Sequence, residues 1–134
     1  MQMQGKLVHV ENMRMRWGEM DALGHMNNVL YFRYLEQARI SWFDKVGVDY
    51  AGEGPVLGSI QCRFRIPIVY PADLTVSVYG GHPRNSSFAL NYTIADQQDA
   101  ARIYLTSESI MVWVGLADGK SRPLPDWLRR ELQP

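Results

Sequence analysis

The sequence predicts an α+β domain in which one long helix is buried against an antiparallel sheet of five or so strands. Three observations predict it. Residues 28–46 carry the only long run of helically spaced apolar side chains. Most of the chain from residue 56 to 114 is rich in β-branched and aromatic residues, which suit strands. The breaks between these runs are too short to hold crossover helices, so the strands must return antiparallel. With 134 residues and 46% hydrophobic content, the chain supports one domain over residues 1–134 with a real core, and is too short for two ordinary ones.

The elements follow in order. Residues 6–16 alternate loosely through Leu7, Val8, Val10, Met13 and Met15 as a first strand, which Gly18 ends. In the helix, at 100° per residue, Tyr31, Leu35, Ala38, Trp42 and Val46 share one narrow sector, and Arg33, Gln37 and Asp44 face away. Phe32, Tyr34, Ile40 and Phe43 lie outside that sector, so other elements should wrap this helix widely. Asn27 or Asn28 can cap it, because a short side-chain oxygen accepts from an orphan N–H of the first turn. Gly47 can end it without a left-handed penalty. Glu36 and Arg39 are read as an i, i+3 helical pair.

After a passage containing Gly52, Gly54, Pro55 and Gly58, strands are predicted over 56–65, 73–79, 87–95 and 101–114. Turn residues separate them: Pro67 and Pro71, then Gly80, Gly81 and Pro83, then residues 96–99. Pro125 before Asp126, Trp127, Leu128 and Leu132 predicts a short terminal helix with proline in its first turn. A sheet wrapped around one helix buries both patterns.

Composition narrows the partners. Lys plus Arg equals Asp plus Glu at 14 each, so no basic excess points to nucleic acid or a membrane surface. Cys62, the single cysteine, cannot form an internal disulfide and suits a reducing compartment. No charged-then-apolar leader opens the chain, and no apolar run nears the roughly 20 residues of a membrane span. The expectation is a soluble, cytoplasmic protein.

Chemistry concentrates before the helix, where Asp21, His25, Asn27 and Asn28 fall within eight residues. A helix start offers unpaired N–H groups and roughly half a positive charge. Such fixed donors stabilise the negative oxygen that develops when a carbonyl is attacked. The N–H of Asn28 is placed for this, and Asp21 could activate water or attack directly. So sparse a site suits a good leaving group such as a thiolate, whose conjugate acid has a pKa near about 8.5. The same residues also serve as ordinary turn and cap residues. Met20, Leu23 and Met26, interleaved with them, either line an acyl pocket or anchor the loop. His9 and His82 have no metal-ligand spacing, and no phosphate-binding glycine loop or serine elbow occurs.

The run RWGEMDALGHMNNVLYFRYLEQAR resembles the signature of the 4-hydroxybenzoyl-CoA thioesterase family of hotdog-fold proteins, in its acyl-CoA thioesterase branch. The segments CRFRIPIVYPADLTVSV, RNSSFALNYTI and DGKSRPLPDWLRREL extend the resemblance over nearly the whole chain. The resemblance implies a hotdog fold, paired into homodimers with sites near the subunit interface and often assembled into homotetramers. It implies Asp21 as base or nucleophile, the Asn28 N–H on the thioester carbonyl, and His25 and Asn27 orienting water or substrate. It places the coenzyme A moiety of an acyl-CoA substrate at the turn before the fourth strand, by Arg84 with Ser86 and Ser87. Some members carry further basic residues where this chain has Asn85 and Ser86, which leaves Arg63 and Arg65 as alternatives. No metal or cofactor is implied. The rival readings are an enoyl-thioester hydratase or dehydratase, and a non-catalytic acyl-CoA binding module.

Overall fold

Alternating and helically spaced residues resolve, in a computed structural model that describes residues 5–134, into five strands and two helices. Residues 1–4, where a leader would begin, lie outside the described residues. The elements are β1 (Lys6–Arg14), a 3₁₀ turn (Trp17–Glu19), α1 (Asn28–Val46), β2 (Glu53–Phe64), β3 (Asp73–Gly81), β4 (Ser87–Asp96), β5 (Ile103–Gly115) and α2 (Asp126–Leu132). All strand pairs are antiparallel, in the order β1-β3-β4-β5-β2. The long helix packs on β1 and β3, which is the hotdog arrangement. No helix among the described residues is long and apolar enough to cross a membrane.

Strand periodicity explains the core. On β4 the side chains of Phe88, Leu90, Tyr92 and Ile94 alternate onto the helix side and are fully buried, beside Leu74, Val76 and Val78 of β3. Tyr31, Leu35, Ala38 and Trp42 of α1 meet them as its sector predicts, while Val46 is half-buried. Each large apolar side chain so buried contributes about 1.5–3 kcal/mol.

Four local readings are corrected. The first strand stops at Arg14, because the Glu19 carboxylate takes the Arg16 N–H at 2.7 Å and winds residues 17–19 into the 3₁₀ turn. β2 begins at Glu53 and takes in Gly54, Pro55 and Gly58. Among the described residues it pairs only with β5, and an edge strand tolerates a missing N–H and a glycine bulge, seen as a register shift between Leu57 and Ser59. Pro125 is the N-cap of α2 instead of a first-turn residue. Arg39 is only 9% exposed and donates to the Tyr92 hydroxyl at 3.3 Å. It sits one helical step from the core sector, so it turns inward and forms no ion pair with Glu36.

The sheet covers one face of α1. Val29, Phe32 and Ile40 stay exposed on the other, Val29 at 68%. The wide wrapping expected from the composition is therefore incomplete within one chain.

Candidate active site

The start of α1 builds half of the site. Asn27 is the N-cap: its backbone is extended and its Oδ1 accepts from the Val29 N–H at 2.9 Å. Its carbonyl accepts from Leu30 at 2.9 Å, which closes the first turn. Asn28 is thus the first helical residue, and its N–H has no acceptor among the described residues. That leaves one donor at the positive end of a 19-residue helix open to solvent.

The loop before it is a small closed hairpin. Asp21 N–H donates to the His25 carbonyl at 2.8 Å, Gly24 N–H to the Asp21 carbonyl at 3.0 Å, and Leu23 N–H to Asp21 Oδ1 at 2.9 Å. The last bond is an Asx turn. Gly24 takes φ +78°, a left-handed turn that a side chain would strain. Met20 and Met26 bridge across the hairpin neck. The Asp21 side chain is exposed, with Oδ2 free of protein partners among the described residues, and His25 is half-buried. Asp21, His25, Asn27 and Asn28 are therefore gathered in one loop and helix start.

Two bonds secure this loop to the body, and two tyrosines of α1 hold the residues that accept them. Met26 N–H donates to the Ile68 carbonyl at 2.8 Å, and Asn27 N–H donates to the Glu19 carbonyl at 3.0 Å. Tyr34 donates its hydroxyl to Glu19 Oε1, the oxygen that also holds Arg16 N–H. The Tyr31 hydroxyl accepts from the Ile68 N–H at 3.3 Å, and its ring meets Phe64 edge-on at 5.0 Å. Burial raises the Tyr31 phenol, and the nearby Asp21 carboxylate raises it further, against the opposing Ile68 N–H. Burial, then Glu19, raises Tyr34.

Glu19, Tyr31, Tyr34 and Ile68 escaped the sequence reading as residues that hold this loop. The available signal was the pair of tyrosines at i and i+3 on a helix apolar over most of its circumference, since a buried phenol hydroxyl needs a partner. The Ile68 contact left no signal, being 37 residues away.

The apolar loop residues divide. Met26 is buried and anchors the loop, Met20 is half-buried, and Leu23 is 79% exposed. Arg84, Ser86 and Ser87 form the turn into β4. Arg84 N–H donates to the Ser87 carbonyl at 2.7 Å, and Arg129 Nη2 from α2 donates to the Arg84 carbonyl at 2.7 Å. Arg84 and Ser87 line a hollow of about 530 Å³ with His82, Phe88, Ala89 and Ile110. This turn lies at the opposite end of the sheet from Asp21. The loop packs where β3 begins, beside Ala72 and Ile68, whereas the turn follows the end of β3. At about 3.3 Å per residue along β4, the two are roughly 25 Å apart. One chain does not bring them together. Arg63 and Arg65 are exposed at the Phe64 end of β2, nearer the loop.

The model of the thioesterase-like superfamily matches residues 15–132. The chain belongs to the thioesterase-like superfamily. This thioesterase-like protein is 38% identical to the PA2801 protein of Pseudomonas aeruginosa, provisionally named a thioesterase; the match covers 96% of this chain and 100% of that one, with a TM-score of 0.90. It is 31% identical over 108 residues to the uncharacterized protein YsmA of Bacillus subtilis (strain 168), covering 79% of this chain and 72% of that one. The fold is shared with Slr0204 of Synechocystis, a 1,4-dihydroxy-2-naphthoyl-CoA thioesterase, at 15% identity and a TM-score of 0.82, over 92% of this chain and 94% of that one.

Proposed function

We propose that this protein is an acyl-CoA thioesterase, cleaving a coenzyme A thioester to free acid and thiol. Superfamily membership makes it a thioester hydrolase. The observation that carries the further reading is the pairing of an exposed Asp21 carboxylate with the open Asn28 N–H on one loop and helix start. In this reading the thioester carbonyl accepts from Asn28 N–H, so the charge that develops on its oxygen meets the positive helix end. Asp21 either takes a proton from the attacking water or attacks the carbonyl carbon itself, and the thiolate leaves as the anion; in the second case water then hydrolyses the acyl-Asp21 anhydride to the free acid and restores the carboxylate. His25 and Asn27 orient water or substrate beside it.

Arg84, Ser86 and Ser87 hold the coenzyme in this reading, from a second copy of the chain. The support is geometric. β2 is a long edge strand with exposed Val56 and Leu57 and an unpaired side, the kind of edge that invites another strand. Pairing β2 antiparallel with its copy across a two-fold axis sets the Arg84 end of one sheet beside the Asp21 end of the other. Such pairing offsets the separation of roughly 25 Å along the strand direction. The exposed Phe32 and Ile40 of α1 accord with a homodimer or homotetramer.

The test is thiol release from acetyl-, hexanoyl-, lauroyl- and benzoyl-CoA by the wild-type protein and Asp21→Asn. Turnover of at least one thioester, lost in the variant, supports the reading. Loss of enoyl absorbance from crotonyl-CoA without thiol release, or saturable binding of intact thioesters with no turnover of any, refutes it.

A further inference from the structure

The bonds that Asp21 makes with His25, Gly24 and Leu23 are all internal to its hairpin. They fix the shape of the loop and leave its position open. Position is set by the bonds that leave the hairpin neck, Met26 N–H to the Ile68 carbonyl and Asn27 N–H to the Glu19 carbonyl. Each acceptor residue is in turn tied to α1 by one tyrosine. Tyr31 accepts from Ile68 N–H, and Tyr34 donates to Glu19 Oε1. Ile68 thus faces the loop with its carbonyl and the helix with its N–H.

We infer that Tyr31, Tyr34 and Glu19 are positioning residues for thioester hydrolysis, two clamps from adjacent turns of α1 that hold the Asp21 hairpin against the helix N-terminus. Spacing of three residues puts the two phenols on one helix face. They are 2% and 6% exposed, so their hydroxyls are held by protein partners rather than by water. Tyr31 is steadied further by the edge-on contact with Phe64. The hairpin tip is exposed over Asp21, Ala22, Leu23 and Gly24, so apolar packing secures only its neck, through the buried Met26. A shift of about 1 Å between a reacting oxygen and an oxyanion donor costs rate by roughly a hundredfold, which is why two hydroxyls remote from the reacting atoms matter.

The inference rests on the catalytic reading of Asp21 and is tested beside it. Tyr31→Phe, Tyr34→Phe, Glu19→Ala, Glu19→Gln and Asp21→Ala are compared on the acyl-CoA that wild type turns over fastest among acetyl-, hexanoyl-, lauroyl- and benzoyl-CoA. Each phenylalanine variant keeps the ring and removes only the hydroxyl. The expected result is a fall in kcat of about tenfold or more, with KM within about twofold, for both tyrosine variants and Glu19→Ala. Glu19→Gln keeps an acceptor oxygen for Tyr34 and Arg16 and should recover most of the loss. Amide hydrogen exchange should quicken at residues 20–28 in the tyrosine variants and stay slow in the later turns of α1, a pattern that general destabilisation does not produce. Wild-type kcat in both tyrosine variants, or exchange that quickens equally throughout α1, overturns the inference while an inactive Asp21→Ala leaves the catalytic reading standing. Full activity in Asp21→Ala overturns both.

Discussion

Replacing Asp21 by asparagine separates the chemistry of this loop from its geometry. In the folded chain Asp21 Oδ1 accepts from Leu23 N–H at 2.9 Å, and asparagine offers the same oxygen at the same place. The Asx turn therefore survives, and because the side chain is exposed, stability should change by no more than about 0.5 kcal/mol. What disappears is the basic and nucleophilic oxygen. Loss of a positioned general base slows a reaction by about 10²–10⁴-fold, which is roughly 2.7–5.4 kcal/mol of transition-state stabilisation. Asp21→Ala should reach the same floor in kcat and also lose the turn bond, lowering stability by about 1 kcal/mol. Initial rates of thiol release, taken with urea unfolding of both variants, give the comparison. An Asp21→Asn enzyme within about threefold of wild-type kcat refutes the reasoning. So does an active asparagine variant beside an inactive alanine one, since Asp21 would then serve only the turn.

The helix start gives a second expectation: Asn27→Ala removes the cap on Val29 N–H and should cost about 1 kcal/mol in urea unfolding. Asn27→Asp should hold that stability. If the proposed dimer forms, Asp21→Asn and Arg84→Ala protomers, each of low activity alone, should regain about a quarter of wild-type activity when unfolded together and refolded as random dimers. No regain would place the coenzyme contacts elsewhere. Leu57→Lys on the open β2 edge should shift light scattering toward the monomer mass and lower activity with it. An unchanged assembly would exclude that edge as the interface. Alkaline pH tests the tyrosines. Tyr31 and Tyr34 hold their protons above the ordinary phenol value of 10.0, chiefly through burial. Their contribution to stability is thus fully present below that value and is lost as pH rises beyond it, because only the unfolded chain releases those protons. Melting temperature should fall above about pH 10, and less steeply in Tyr34→Phe; equal slopes would contradict the burial of that hydroxyl.

Local rules made much of this chain legible. The apolar sector of α1, its cap among the two asparagines, its end at Gly47 and the antiparallel return of the strands depend on residues near one another in sequence, and the chain alone determined them. In two places where a local rule failed, a neighbour from elsewhere had intervened. Pro55 and Gly58 entered a strand because β2 lies at an edge, and Arg39 turned inward because Tyr92, 53 residues on, offered its hydroxyl. The Asp21 hairpin was readable as a cluster of polar residues. Its placement was not, since Glu19, Tyr34, Tyr31 and Ile68 meet only once the sheet closes under the helix. Strand order likewise belongs to the tertiary structure: the order β1-β3-β4-β5-β2 is what leaves β2 at an edge of the sheet. Spacing in sequence specifies which face a side chain takes, whereas contacts between distant segments are chosen by burying all those faces at once.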